Sequence, residues 1–201
     1  VDDLLARLQA AKRPAFVVGN GIRLADAQQE FLRLAENLNI PILTAISGTD
    51  LIASTHPLYA GRPGILGARA ANFVMQNSDL LMVLGSRMNI RVIGYAFETI
   101  AREALKVMVD IDPEELNKPT FKPDIKILAD LRYFVTSMLQ RSAGKMIRYQ
   151  EPEKWLAYCA RLRGKYPTVT DEHRAMKEYV SSHYFATVLS DCLPADAVVV
   201  T

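Results

Sequence analysis

Ala15-Phe16-Val17-Val18-Gly19-Asn20-Gly21 is a short apolar run that ends in a glycine turn. Phe31, Leu34, Ala35 and Leu38 follow at i, i+3, i+4 and i+7, the stripe of a helix that packs on a sheet. Ile40 to Leu43 then reads as a second strand, with Pro41 acceptable near its start. Strand, turn, helix and strand in that order make a βαβ unit, which predicts a parallel sheet. Working outward, Leu4, Leu5 and Leu8 predict an opening helix that ends near Ala11. A helix over about Ala68 to Asn77 leads into a strand Leu80 to Leu84, and further strands are expected at Lys106 to Ile111 and Ile125 to Leu128. Asp112-Pro113-Glu114-Glu115 carries an N-cap, a first-position proline and acidic residues in a first turn. From Asp130, the residues Leu131, Phe134, Val135, Met138 and Leu139 share one helix face. The expected fold class is α/β: a doubly wound, mostly parallel sheet with helices on both faces, then a helical linker.

Beyond Arg141 the pattern loosens. Ser142 to Pro152 reads as a polar linker, followed by a helix over Trp155 to Lys165 that stops before Pro167. A helix near Ser181 to Cys192 precedes Ala197-Val198-Val199-Val200, which has the composition of a buried strand. A parallel strand needs neighbours, so the chain is expected to be cut from a longer protein. The expected division is 1–140, 141–180 and 181–201.

Composition narrows the function classes. Over 201 residues, 24 basic and 22 acidic side chains leave a net charge of +2, and half the residues are hydrophobic. No block of like charge points to nucleic acid or an anionic membrane. No apolar run reaches the roughly 18 residues a spanning helix needs. Cys159 and Cys192 have no metal-type spacing and sit on apolar helical stripes, so both are expected as buried free thiols of a cytoplasmic protein. His56, His173 and His183 are expected in loops or on the surface, with no catalytic role.

The glycine turn is ambiguous by position alone. A dinucleotide fingerprint needs a third glycine where Leu24 stands and an acidic residue where the second strand ends in Thr44. Gly19 and Gly21 either permit a tight strand-to-helix turn or let a ligand approach the sheet. Gly85-Ser86-Arg87, with Arg91 beyond it, and Asp110-Ile111-Asp112-Pro113 leave the same carboxyl edge. Arg23, Arg62, Arg87 and Arg91 could receive a diphosphate there; equally, Arg87 or Arg91 could pair with Asp110 or Asp112. The long stretch Ala45 to Gly67 is expected as a binding loop.

Taken together, the ordered pieces resemble the central, Rossmann-like domain of thiamine-diphosphate enzymes of the acetolactate synthase kind. They are Arg13-Pro14-Ala15 with Val18-Gly19-Asn20-Gly21, His56 to Gly61, Pro63 to Gly67 with Ala70-Ala71-Asn72, Gln76 to Leu81, Gly85 to Arg91, and Val109 to Pro113. The resemblance implies a 2-keto acid carboligase or decarboxylase, active with thiamine diphosphate and Mg²⁺ in a homodimer or homotetramer. The missing N- and C-terminal domains of the same chain would supply those cofactor sites and the catalytic groups, so no catalytic or metal residue is expected here. Across its branches the family binds FAD, ADP or nothing in this domain, and the resemblance implies that an FAD or ADP site here would be lined by Gly19, Asn20, Gly21, Thr44, Leu66, Gly67, Gly85, Ser86, Arg87, Arg91, Asp110 and Ile111. FAD-binding relatives often carry two acidic residues where this chain has Asn89 and Ile90, and Gly61-Arg62-Pro63-Gly64 resembles a polysaccharide-cluster sub-branch. The alternatives are an oxalyl-CoA- or benzoylformate-decarboxylase-like lyase and a non-enzymatic nucleotide-binding or structural module.

Overall fold

The computed structural model describes residues 1–194 and 196–199, which divide into two compact units, 1–166 and 167–201. The first unit runs α1 (Asp2–Ala10), β1 (Pro14–Val18), α2 (Gly21–Leu24), α3 (Gln28–Leu38), β2 (Ile42–Thr44), β3 (Tyr59–Gly61), α4 (Arg69–Asn77) and β4 (Leu80–Leu84). It continues with α5 (Ile90–Ile93), β5 (Leu105–Asp110), α6 (Pro113–Asn117), β6 (Ile125–Leu128), α7 (Leu131–Ser142) and α8 (Pro152–Lys165).

The six strands form one sheet in the order β3-β2-β1-β4-β5-β6, and every pairing is parallel. The expected doubly wound sheet is therefore present. Right-handed crossovers send α3 and α4 to opposite faces, because the chain steps outward from β1 in one direction and returns across it to β4 in the other. Consistent with two layers, α3 packs with α7, and α4 packs with α8. β1 and β4 are buried at all five of their positions, which explains their unbroken apolar runs: both faces are covered by helices. On the α3 side, Phe16 and Phe31 meet edge to face at 5.3 Å.

One strand escapes the sequence pattern. β3 lies inside the stretch expected as a loop, and it holds three residues with an irregular register against β2. An element of that length has no periodicity to detect, and its existence rests on pairing with β2. β6 alternates half-buried and exposed residues, as an edge strand with one wet face should.

Residues 143–151 carry no helix or strand, yet they are anchored to the sheet unit. Gln150 N donates to the Ala11 carbonyl at 2.8 Å, and the Tyr149 hydroxyl donates to the Asn39 carbonyl at 2.9 Å. The buried Trp155 indole donates to the Pro14 carbonyl at 2.9 Å. Arg163 of α8 donates to the Tyr59 and Ser54 carbonyls while lying over the Tyr59 ring.

The second unit holds α9 (Asp171–Ala175) and α10 (Ser182–Cys192). Thr170 and His173 form a capping box that starts α9. Two expectations are corrected here. Cys192 is exposed, as are Phe185, Val188 and Leu189 on the same helix. Residues 197–199 form no strand, and Val198 and Val199 are exposed. An apolar run becomes a strand only by pairing with another strand, and among the described residues it makes no such pairing. Val200 and Thr201 of that expectation lie outside the described residues.

Candidate functional site

Because every strand is parallel, the loops after β1, β2, β4, β5 and β6 share one rim. They enclose a cavity of about 410 Å³, inside the range usual for small-molecule sites. It sits at the switch point, where the chain leaves β1 toward β2 on one side and β4 toward β5 on the other.

Its floor is made by interlocked glycines. Gly21 N donates to the Gly85 carbonyl at 3.0 Å, and Gly19 N donates to the Leu84 carbonyl at 3.1 Å. A Cβ on Gly19 would stand 2.7 Å from Ser86 Cα, and one on Gly21 would stand 2.6 Å from Gly85 Cα. Gly85 itself has φ +57°, a left-handed conformation glycine adopts without strain. The glycines are therefore needed for the β1 turn to lie against the β4 turn, a use that neither sequence reading contained.

Gly21, Asn20, Gly85, Ser86, Arg87, Asp110 and Ile111 line this cavity. A second cavity of about 180 Å³ adjoins it and shares Ile46 and Val92; Leu66, Gly67 and Arg91 line that one, together with Arg62. Gly19 and Thr44 line neither. Thr44 closes β2 fully buried, and its hydroxyl is the one buried side-chain polar atom without a partner among the described residues.

The four arginines separate by environment. Arg23 is tied to the Asn20 side chain at 2.8 Å and to Asp50, and it lines neither cavity. Arg62 and Arg91 have no acidic partner within 4 Å among the described residues. Arg87 pairs with neither Asp110 nor Asp112. Its Nε donates to Glu115 Oε1 at 2.5 Å. The two aspartates instead serve their own loop: Asp110 accepts from Asp112 N at 3.1 Å, and Asp112 caps α6 by accepting from Glu114 N at 2.9 Å. Burial works to raise the Glu115 carboxyl, but hydrogen bonds and charge from Lys118 and Arg87 outweigh it and hold the group below its ordinary range.

These features occur on a chain whose residues 1–138 match the family model described as "Thiamine pyrophosphate enzyme, central domain". The chain belongs to this family. The thiamine pyrophosphate enzyme central domain is also similar to named relatives. It is 30% identical to the acetolactate synthase large subunit of Corynebacterium glutamicum over 86% of this chain and 27% of that protein. It is 30% identical to the acetolactate synthase isozyme 2 large subunit of Escherichia coli over 100% of this chain and 34% of that protein. A probable acetolactate synthase large subunit of Methanococcus aeolicus is 34% identical over 67% of this chain and 22% of its own length. The chain thus spans about a third or less of the relatives it matches.

Lining residues not named for the site from the sequence include Ala45 to Ser47 after β2, which fall in the expected binding loop, Asn89 and Val92 around α5, and Ala129 to Leu131 after β6. The rim rule alone would have found Asp130, since it follows a strand and caps α7 by accepting from Arg132 N at 2.9 Å. Asn72 belongs to the Ala70-Ala71-Asn72 motif, whose sequence does not reveal its structural task. It clamps the 62–67 turn by accepting from Gly64 N at 2.8 Å and donating to the Gly64 carbonyl at 3.1 Å. Asn89 uses its side chain to cap α5, accepting from Arg91 N at 3.0 Å. His56 is a structural residue: Nδ1 accepts from Leu58 N, and Nε2 lies 3.1 Å from a Glu36 carboxylate oxygen. Among the described residues, no three His, Cys, Asp or Glu side chains converge to hold a metal, and no helix is long and apolar enough to cross a membrane.

Proposed function

We propose that this chain is the scaffold and nucleotide-binding module of a thiamine-diphosphate-dependent 2-keto acid carboligase or decarboxylase that acts on a substrate such as pyruvate. In that parent, thiamine diphosphate with Mg²⁺ supplies the electron sink for cleavage beside the keto group. Because the chain spans about a third or less of the relatives it matches, those cofactor sites are assigned to N- and C-terminal domains of the parent outside these residues, in a cytoplasmic homo-oligomer. Residues 1–140 then form the module, 141–180 the connection and 181–201 the opening of the next domain.

The observation that supports a nucleotide at the rim is the pair of adjoining cavities at the switch point, with arginines as their cations. Apolar walls from Leu24, Ala45, Ile46 and Val92 suit an aromatic ring. Arg87 in the larger cavity, and Arg62 and Arg91 in the smaller, suit a diphosphate. Asp110 offers an acceptor to a sugar hydroxyl. Gly19 supports the floor by packing on the Gly85–Ser86 turn, and Thr44 is buried at the end of β2.

FAD and ADP share the adenosine diphosphate half, so a calorimetric titration of the purified chain with each separates the candidates. Saturable heat from at least one, with a dissociation constant below about 100 µM, is expected. No heat from either would overturn the nucleotide assignment. The carboligase assignment is tested separately, on the full reading frame supplied with thiamine diphosphate, Mg²⁺ and pyruvate. Absence of both decarboxylation and acetolactate formation would overturn it.

A further inference from the structure

Glu115 does not line either cavity, yet it sets what Arg87 can do in one of them. Its carboxylate is nearly buried, at 11% side-chain exposure, whereas the Arg87 side chain is 75% exposed. Both carboxylate oxygens are engaged. Oε1 accepts from Arg87 Nε at 2.5 Å, and Oε2 accepts from Lys118 Nζ at 2.8 Å. Lys118 Nζ also donates to the Arg87 backbone carbonyl. Arg87 is thus held twice, by its side chain through Glu115 and by its main chain through Lys118.

Two features distinguish this cluster from an ordinary surface ion pair. One is charge. Lys118 and Glu115 neutralise each other, so the trio keeps a net positive charge, carried by the exposed guanidinium. The other is geometry. Glu115 takes the Nε–H, and the two Nη groups have no protein acceptor among the described residues. Those Nη groups are the paired donors that match phosphate oxygens. Burying a carboxylate between two cations is a weak way to gain stability. It does fix one rotamer of a long side chain, which lowers the ordering cost of binding an anion.

We infer that Glu115, neutralised by Lys118, is a positioning residue that holds Arg87 as the phosphate receptor of the larger cavity. The inference deepens the nucleotide reading above and rests on it for the ligand's class, but its test uses inorganic diphosphate and Arg87 itself.

Arginine Nε–H resonances are recorded by ¹H–¹⁵N spectroscopy, with the Arg87 signal identified by its loss in Arg87→Lys. The wild type is expected to show a slowly exchanging Arg87 Nε–H that shifts saturably with diphosphate. Glu115→Gln loses the slow exchange, because an amide must set its NH₂ against Arg87 or Lys118, and diphosphate affinity falls about five- to tenfold. Glu115→Asp restores part of both. Lys118→Met serves as the second variant if Glu115→Gln does not fold. It keeps the Arg87 Nε–H protected but cancels the charge, so affinity falls without loss of the signal. Unchanged diphosphate affinity in the folded variants, or an Arg87 signal that diphosphate never moves, overturns the inference. Diphosphate binding at Arg87 without binding of FAD or ADP leaves the positioning role standing and removes the nucleotide assignment.

Discussion

Gly19→Ala tests how the rim is built. The new Cβ would stand 2.7 Å from Ser86 Cα and 2.9 Å from Ser86 Cβ, closer still to the Gly85 carbonyl. Its nearest neighbours are backbone atoms of a β4 turn that Gly19 N itself helps to pin through the Leu84 carbonyl. No flexible side-chain end can give way, so the β1 and β4 turns must separate. Overpacking of this kind costs about 1–3 kcal/mol. For a unit of this size each kcal/mol lowers Tm by about 2–4 °C, so a fall of about 2–12 °C is expected. In urea the midpoint should drop with little change in slope, since the buried surface is nearly conserved. Gly164→Ala is the matched control: it lies in α8, and nothing stands within 4 Å of its would-be Cβ. There the same substitution should be neutral or stabilise by up to about 0.5–1 kcal/mol through helix propensity. Wild-type stability in Gly19→Ala, or an equal loss in Gly164→Ala, would refute the claim that turn-to-turn packing requires the glycine.

Further outcomes concern other parts of the molecule. Burial pushes the Cys159 thiol up to about 12, whereas Cys192 is exposed, so iodoacetamide at pH 8 should add one label, mapped by mass spectrometry to Cys192. Glu115 has an ordinary value of 4.5 that folding lowers. Its contribution to stability is therefore full above about that pH and lost as pH falls through the lowered value. The stability difference between wild type and Glu115→Gln, followed by urea unfolding, should be flat from pH 6 to 8 and shrink below pH 4.5. Trp155→Phe leaves the Pro14 carbonyl without its indole donor in a buried setting and should cost about 1–3 kcal/mol, read from the urea midpoint.

The strand runs, the helix stripes and the cap at Asp112 were legible because each is a local pattern of short period. β3 was not, since three residues cannot display a period. The valines at 198 and 199 misled for the converse reason: their composition suits a strand, but they have no strand partner and stand exposed. For the candidate site, the rim rule named loops that the structure gathers around one cavity. It could not choose the partner of Arg87, and the nearer aspartates were named when the distant Glu115 holds it.

By itself the sequence determined the alternation of strand and helix, and hence a parallel sheet with its loops gathered on one carboxyl rim, because side-chain periodicity and strand direction are properties of consecutive residues. The folded chain alone settles that Gly19 packs on Gly85 and Ser86, that Thr44 is buried and lines neither cavity, and that Glu115 holds Arg87. Those relations join residues as much as 67 positions apart on different strands and helices. No local interaction distinguishes them from the alternatives, and only close packing of the folded chain does.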